Sequence, residues 1–213
     1  MAWTRQDLAA ASGRKLLFEA AVMAGTPAVS TVRSLAGDRI SRLQGVLNGT
    51  SNFCLHRMQA GLTLAGAVAE AQARGYAERD PSADIEGHDA AAKLAILATL
   101  AFGRLAGLDE VAVTGITGLQ AADFAQAASR GQAVRLVAEA RAEDGRIRAT
   151  VAPAFLDATH PLAGVRGHHN GLLVEADLAG QLFLQGPGAG GDATASAIVT
   201  DIIRAARTCG GRQ

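Results

Sequence analysis

A change of period along the chain constrains its fold more than any other feature. From Ala133 onward the apolar residues begin to alternate. Val134, Leu136, Val137 and Ala138 lead through the turn Glu143-Asp144-Gly145 to Ile147–Val151, the pattern of a β-hairpin. Leu172–Val174 and Leu182–Leu184 predict two further strands, and a helix follows over about 192–207. Before Ala133 the spacing is mostly helical. Runs of helix and strand without a regular βαβ alternation predict an α+β fold, a mixed or largely antiparallel sheet covered by helices.

The first half reads as punctuated elements. Residues 6–14 suggest a short helix tail ending at Gly13, and Lys15–Val22 has a buried-strand pattern broken by Glu19. Pro27 suits the first turn of a helix running to about Ala36. Arg39–Leu47 predicts a strand with Ile40, Leu43, Val46 and Leu47 buried, and Asn48–Asn52 a loop capping a helix over about 50–60. Thr63 caps a helix to Arg74, ended by Gly75. The clearest helix is Asp89–Phe102, closed by Gly103, and 119–131 is a further helical segment.

With 49% apolar residues, the chain of 213 can bury a core without disulfides, and with 4% aromatics that core is built from small aliphatic side chains. Twenty basic residues balance twenty acidic ones and no dense Lys/Arg run occurs, which argues against nucleic acid or an anionic membrane as partner. The apolar stretch Leu94–Phe102 is too short to span a bilayer, and the start has no signal-peptide pattern. Cys54 and Cys209 are far apart without metal-ligand spacing, so two thiols in a reducing cytoplasm are expected. Cys54, within Phe53-Cys54-Leu55, reads as core rather than nucleophile.

The stretch from Gly75 to Lys93 is the most informative for chemistry. It gathers Glu78, Asp80, Asp84, Glu86 and Asp89, then places Lys93 one turn into an apolar helix, on the same face as Asp89 at i and i+4. A solvated acidic loop with an ordinary ion pair would look the same. Yet Lys93 stands between Ala90-Ala91-Ala92 and Leu94-Ala95-Ile96-Leu97, and an ammonium in such company is partly desolvated and suited to carrying a proton.

Gly75-Tyr76-Ala77-Glu78-Arg79-Asp80-Pro81, with the Asp84, Gly87-His88-Asp89 and Lys93 that follow, closely resembles the homoserine dehydrogenase signature. Phe18–Val22, Gly45–Phe53 and Gly186–Gly191 also match motifs of that family, in the family order, so the resemblance runs from about residue 14 to 207. His88 departs from it, standing where an apolar residue is usual. The resemblance implies the catalytic and dimerisation domain of that family. It implies NAD- or NADP-linked interconversion of L-homoserine and L-aspartate 4-semialdehyde, in the cytoplasmic biosynthesis of threonine, methionine and isoleucine, by a homodimer.

By the same resemblance Lys93 and Asp89 are catalytic, while Glu78, Asp84 and Asp89 bind substrate, Glu78 meeting its ammonium. Gly186, Gly188 and Gly190 are candidate cofactor contacts. The Glu19 carboxylate with the carbonyls of Val22, Ala24 and Thr26 is a candidate sodium site, although a Glu bonded to a turn reads equally from the residues. Residues 1–14 are expected to be the remnant of a linker, 15–207 the substrate-binding domain and 208–213 a tail, with a nucleotide-binding domain supplied separately. A non-catalytic homoserine-binding or dimerising module stays open beside this reading. So does a different dehydrogenase with a related substrate domain, against which the complete Glu78–Lys93 constellation counts.

Two other features resemble sites. Gly188–Ala193 satisfies G-x-G-x-x-A, but no second parallel strand or ribose-binding acid follows, which excludes a dinucleotide fold built on it. His168-His169-Asn170 reads as a polar turn, since adjacent residues on an extended segment point apart, and His56 and His160 lack partners at ligand spacing.

Overall fold

A computed structural model describes residues 9, 12, 14–103, 107–143 and 146–209. Among these are the strands β1 (Ile40–Val46), β2 (Val111–Val113), β3 (Gln132–Glu143), β4 (Arg146–Asp157), β5 (His169–Ala176) and β6 (Gly180–Pro187). They form one sheet in the order β2-β4-β3-β1-β5-β6. Every neighbouring pair is antiparallel except β2 with β4. The helices are α1 (Ala28–Ser34), α2 (Gly49–Gln59), α3 (Leu64–Ala73), α4 (Ser82–Ile85), α5 (His88–Phe102), α6 (Ala121–Ser129) and α7 (Gly191–Cys209). This is the α+β architecture that the change of period predicts.

Alternation along the strands sorts side chains between the two faces. Val134, Leu136, Ala138 and Ala140 of β3, with Leu172 and Val174 of β5, join the main core under the helices. Val46 and Val137 point the other way and pack with Leu162 and Val165. The helix α5 lies against β1, β3 and β4, burying Ala90, Ala91, Leu94, Leu97 and Ala98 at helical spacing. Its leucines contribute about 1.5–3 kcal/mol each by burial, and its alanines let the helix approach the sheet closely.

The ends of α5 are set by backbone. Gly103 closes it at φ 64° and Gly87 opens it at φ 89°. A Cβ on Gly87 would stand 3.1 Å from Val113 Cγ1 and 3.2 Å from Val151 Cγ1, so the turn before the helix lies flush on β2 and β4. The polar loop therefore sits at the carboxyl end of the inner strand β1 and against the short edge strand β2.

Several expectations need correction. Lys15–Phe18 join no ladder, and Glu19–Ala21 form a turn of 3₁₀-helix. A short apolar run does not by itself distinguish a strand from a buried turn; here Val22 and Met23 enter the core without pairing. The helix α4 interrupts a segment that reads as loop, and β2 was not anticipated. The helix tail of 6–14 and the hairpin turn at Asp144-Gly145 lie largely outside the described residues. The helix α7 buries Ala197 but leaves Ile198, Val199, Ile202 and Ile203 exposed. No described helix is long and apolar enough to cross a membrane.

Candidate active site

Where β1 ends, the backbone passes through Leu47 and Asn48 into α2, and α5 brings Lys93 to the same point. Lys93 Nζ lies 2.6 Å from Asp89 Oδ2 and donates to the Leu47 carbonyl at 3.1 Å. An ammonium has three N–H donors, so one remains for whatever enters from outside. The Leu47 carbonyl also accepts from Asn170 Nδ2 at 3.0 Å. Both its lone pairs are then used, by a helix on one side and by β5 on the other.

Asn48 is the hub of the acidic side. Its Oδ1 accepts from Ser51 N at 2.8 Å, capping α2. Its Nδ2 donates to Asp84 Oδ1 at 2.6 Å and to Asp89 Oδ2 at 2.8 Å. One amide thus fixes two carboxylates five residues apart in sequence, one on α4 and one in the first turn of α5. Asp89 in turn holds the ammonium of Lys93.

These groups face a cavity of about 560 Å³, which Glu78, Arg74, Tyr76, His168 and the backbone of Gly188–Gly190 also line. Tyr76 stacks on His168, with ring centroids 4.7 Å apart, and meets Phe53 edge-on at 5.2 Å. Among the described residues the Glu78 carboxylate has no partner; its segment is held by Gln72 Nε2, which donates to the Glu78 carbonyl at 3.0 Å. Asp80, at the rim, is held below the ordinary carboxylate range by hydrogen bonds from Ser82. Arg74 is engaged with Glu70 at 2.6 Å. Carboxylates therefore outnumber free cations around the cavity, an environment suited to an ammonium-bearing ligand. Burial, helped by the charge of Asp84, pushes the nearby Cys54 thiol up to about 11. It is no nucleophile at neutral pH.

The structure places Glu78, Asp84, Asp89, Lys93, Gly188 and Gly190 around this one cavity. A side chain on Gly188 would collide with the Asn170 amide, so the loop needs glycine there to lie on Asn170. Gly186 stands elsewhere: it pairs with Asn170 in the sheet, and a Cβ on it would meet Thr26 Oγ1. Sequence reasoning missed Asn170, the Leu47 carbonyl and the second role of Asn48, and it read His168 as turn only. The capping role of Asn48 hid its clamp, and a backbone carbonyl leaves no side-chain signature.

The turn expected to hold a cation is differently built. Glu19 is buried, and its carboxylate accepts from Val29 N at 2.8 Å, Ser30 N at 3.0 Å, the Ser30 hydroxyl and Arg204 Nη1 at 3.3 Å. The Thr26 carbonyl accepts from Ala28 N at 2.7 Å. Glu19 thus serves α1 and pairs with a guanidinium on α7. A carboxylate surrounded by proton donors does not fit a sodium ligand, and the expected site at Glu19, Val22, Ala24 and Thr26 gains no support. Among the described residues no group of three His, Cys, Asp or Glu is placed to hold a metal.

Comparison with known proteins shows which family the chain is similar to. A family model described as homoserine dehydrogenase matches residues 27–203. The homoserine dehydrogenase of Corynebacterium glutamicum is 45% identical over 208 residues, covering 94% of this chain and 47% of the relative. The NAD(+)-dependent homoserine dehydrogenase of Pseudomonas canavaninivorans is 42% identical, covering 87% and 53%. The crystal structure of a homoserine dehydrogenase from Thiobacillus denitrificans superposes with a TM-score of 0.93 at 38% identity, covering 97% of this chain and 48% of that one. A hyperthermophilic archaeal homoserine dehydrogenase in complex with NADPH gives 0.81 at 37%, covering 95% and 59%. The chain spans about half the length of the curated relatives it matches.

Proposed function

Since the chain belongs to the homoserine dehydrogenase family, we propose that residues 15–207 form a substrate-binding, catalytic and dimerisation domain. Its reaction is the NAD- or NADP-dependent interconversion of L-homoserine and L-aspartate 4-semialdehyde. The observation that carries this reading is the meeting of Lys93, Asp89, Asp84 and Glu78 in one cavity with the loop of Gly188–Gly190. A homodimer, a cytoplasmic setting and a place in threonine, methionine and isoleucine biosynthesis belong to the same reading.

The nicotinamide cofactor, when bound, accepts or returns the hydride at the alcohol carbon. The cavity supports its approach, because the glycines at 188 and 190 leave backbone uncovered at its wall. The proton is the task of Lys93. As an amine it takes the hydroxyl proton when the alcohol is oxidised, and as an ammonium it returns that proton to the carbonyl oxygen on reduction. Asp89 and the Leu47 carbonyl hold Nζ in place for both directions. Glu78, unpartnered among the described residues, receives the substrate ammonium, and Asp84, tied to Asn48, orients it.

The test is homoserine-dependent formation of NADH or NADPH by the purified chain. It is run alone and with the half of the Corynebacterium glutamicum enzyme that this chain does not match, and Lys93→Ala is the control. Loss of turnover by orders of magnitude in Lys93→Ala, with homoserine binding retained, is expected. Turnover that survives this substitution refutes the assignment. Homoserine binding without turnover in any combination would make the chain a binding module.

A further inference from the structure

Arg135 lies on β3 with only 3% of its surface exposed, and no carboxylate among the described residues pairs with it. Its Nη1 donates to the Val134 carbonyl and its Nη2 to the Ala163 carbonyl, each at 2.8 Å. Its Nε–H, also buried, has no partner. Other arginines of the sheet are treated differently. Arg42 on β1 has Glu139 at 2.8 Å and Glu175 at 3.3 Å. Removing a charge from water costs several kcal/mol, and neutral carbonyls return only part of that. Buried guanidinium groups are therefore normally paired with an anion.

The surroundings of Arg135 add positive charge. It lines a cavity of about 320 Å³ with Arg166, His56 and Gln59. The exposed Arg166 also has no ion-pair partner among the described residues. Burial and the charge of Arg166 push the Arg135 guanidinium down to about 10. Burial, followed by Arg135, Arg166 and Arg57, pushes His56 down as well. Arg135 still carries its charge at neutral pH. The last carbonyls of α2 would repel an anion, but those of His56, Arg57 and Met58 are taken by the N–H groups of Ala60, Gly61 and Leu62. The cavity shares no residue with the active-site cleft. It lies at the carboxyl end of α2, whose amino end carries Asn48.

We propose that this pocket between α2, β3 and the 161–166 segment is a binding site for a small oxyanion, a phosphate or a free carboxylate, held by Arg135 and Arg166. Guanidinium forks match the geometry of both anions, and a buried partner makes such bonds strong.

The test uses the 213-residue chain in a chloride buffer at constant ionic strength. Inorganic phosphate and acetate are titrated separately, with the thermal midpoint and calorimetric heat as readouts. One of the two is expected to give a saturable rise in midpoint, and their relative affinities tell phosphate from carboxylate. Arg166→Gln, at an exposed position, is expected to weaken that binding about tenfold. Arg135→Met is expected to abolish it while raising the midpoint in anion-free buffer, because the uncompensated charge is gone. Arg148→Gln, a remote exposed arginine, leaves binding unchanged. If Arg135→Met does not fold, Arg166→Gln decides alone. The proposal is overturned if neither anion gives a saturable effect or if binding persists undiminished in Arg166→Gln. It is also overturned if Arg135→Met weakens self-association in sedimentation while no anion binds, since a carboxylate of a second copy would then fill the pocket.

Discussion

Replacing Asn48 separates two roles that the structure assigns to one side chain. Its Oδ1 caps α2, and its Nδ2 bridges Asp84 and Asp89. Loss of such a cap costs about 1 kcal/mol. A hydrogen bond to a charged group is worth about 1.5–3 kcal/mol. The low end applies here, because the Asp89 side chain keeps 33% of its surface in water. Asn48→Ala is therefore expected to cost about 3–4 kcal/mol in total, read from urea unfolding with an unchanged slope. Asn48→Asp keeps the cap but sets a third carboxylate against two others. At neutral pH it is expected to fall at least as far, and to recover relative to Asn48→Ala on acidification as the repulsion is titrated away. A loss of only about 1 kcal/mol in Asn48→Ala, or an Asn48→Asp variant as stable as the original, would refute the bridge and leave a plain helix cap.

Other substitutions probe other parts of the molecule. Gly49→Ala puts a Cβ 2.7 Å from the His168 carbonyl oxygen and is expected to cost about 1–3 kcal/mol by overpacking. Gly37→Ala meets no atom within 4 Å and is expected to gain about 0.4–1 kcal/mol; thermal unfolding of the pair checks both signs. Burial alone would raise the Glu139 carboxyl, but hydrogen bonds and charge from Arg42 and Arg141 outweigh it and hold the group below its ordinary 4.5. Its stabilising contribution is thus present above that value and lost as the pH falls beneath it, and Glu139→Gln should flatten the acid limb of the stability profile. In a Cys209→Ser background, Cys54 should resist a thiol reagent at pH 8 until denaturant opens the core, because its thiol is buried and pushed up to about 11. Prompt labelling in the folded state would contradict that burial.

What could be read from the residues was whatever is local and repeated. The helix α5 declares itself through alanine and leucine at helical spacing and the glycine after it, and β3–β4 through alternation on both sides of a polar turn. Lys93 and Asp89 could be paired because one helical turn separates them. Residues 15–22 misled because an apolar run shows burial without showing whether a neighbouring strand exists to pair with it. The strand β2 is three residues long, too short for any period. Asn170 meets Leu47 across 123 residues of chain, a contact set by strand order alone. Gly186 and Gly188 are neighbours in one motif, yet β6 ends between them at Pro187, so one is held in the sheet and the other lies in the loop beyond it.

The pairing of Glu19 with Arg204 spans 185 residues, and the Glu19 amide reaches Asp201 across 182. The inner strand β1 likewise waits for partners that follow α6. During synthesis α1 can offer its N–H groups to Glu19 early, but the guanidinium arrives only when residue 204 has left the ribosome. So high a contact order predicts slow, late closure. Until then the apolar faces of α2 and α5 have no sheet to cover them, and that uncovered surface is where a half-made chain is expected to aggregate.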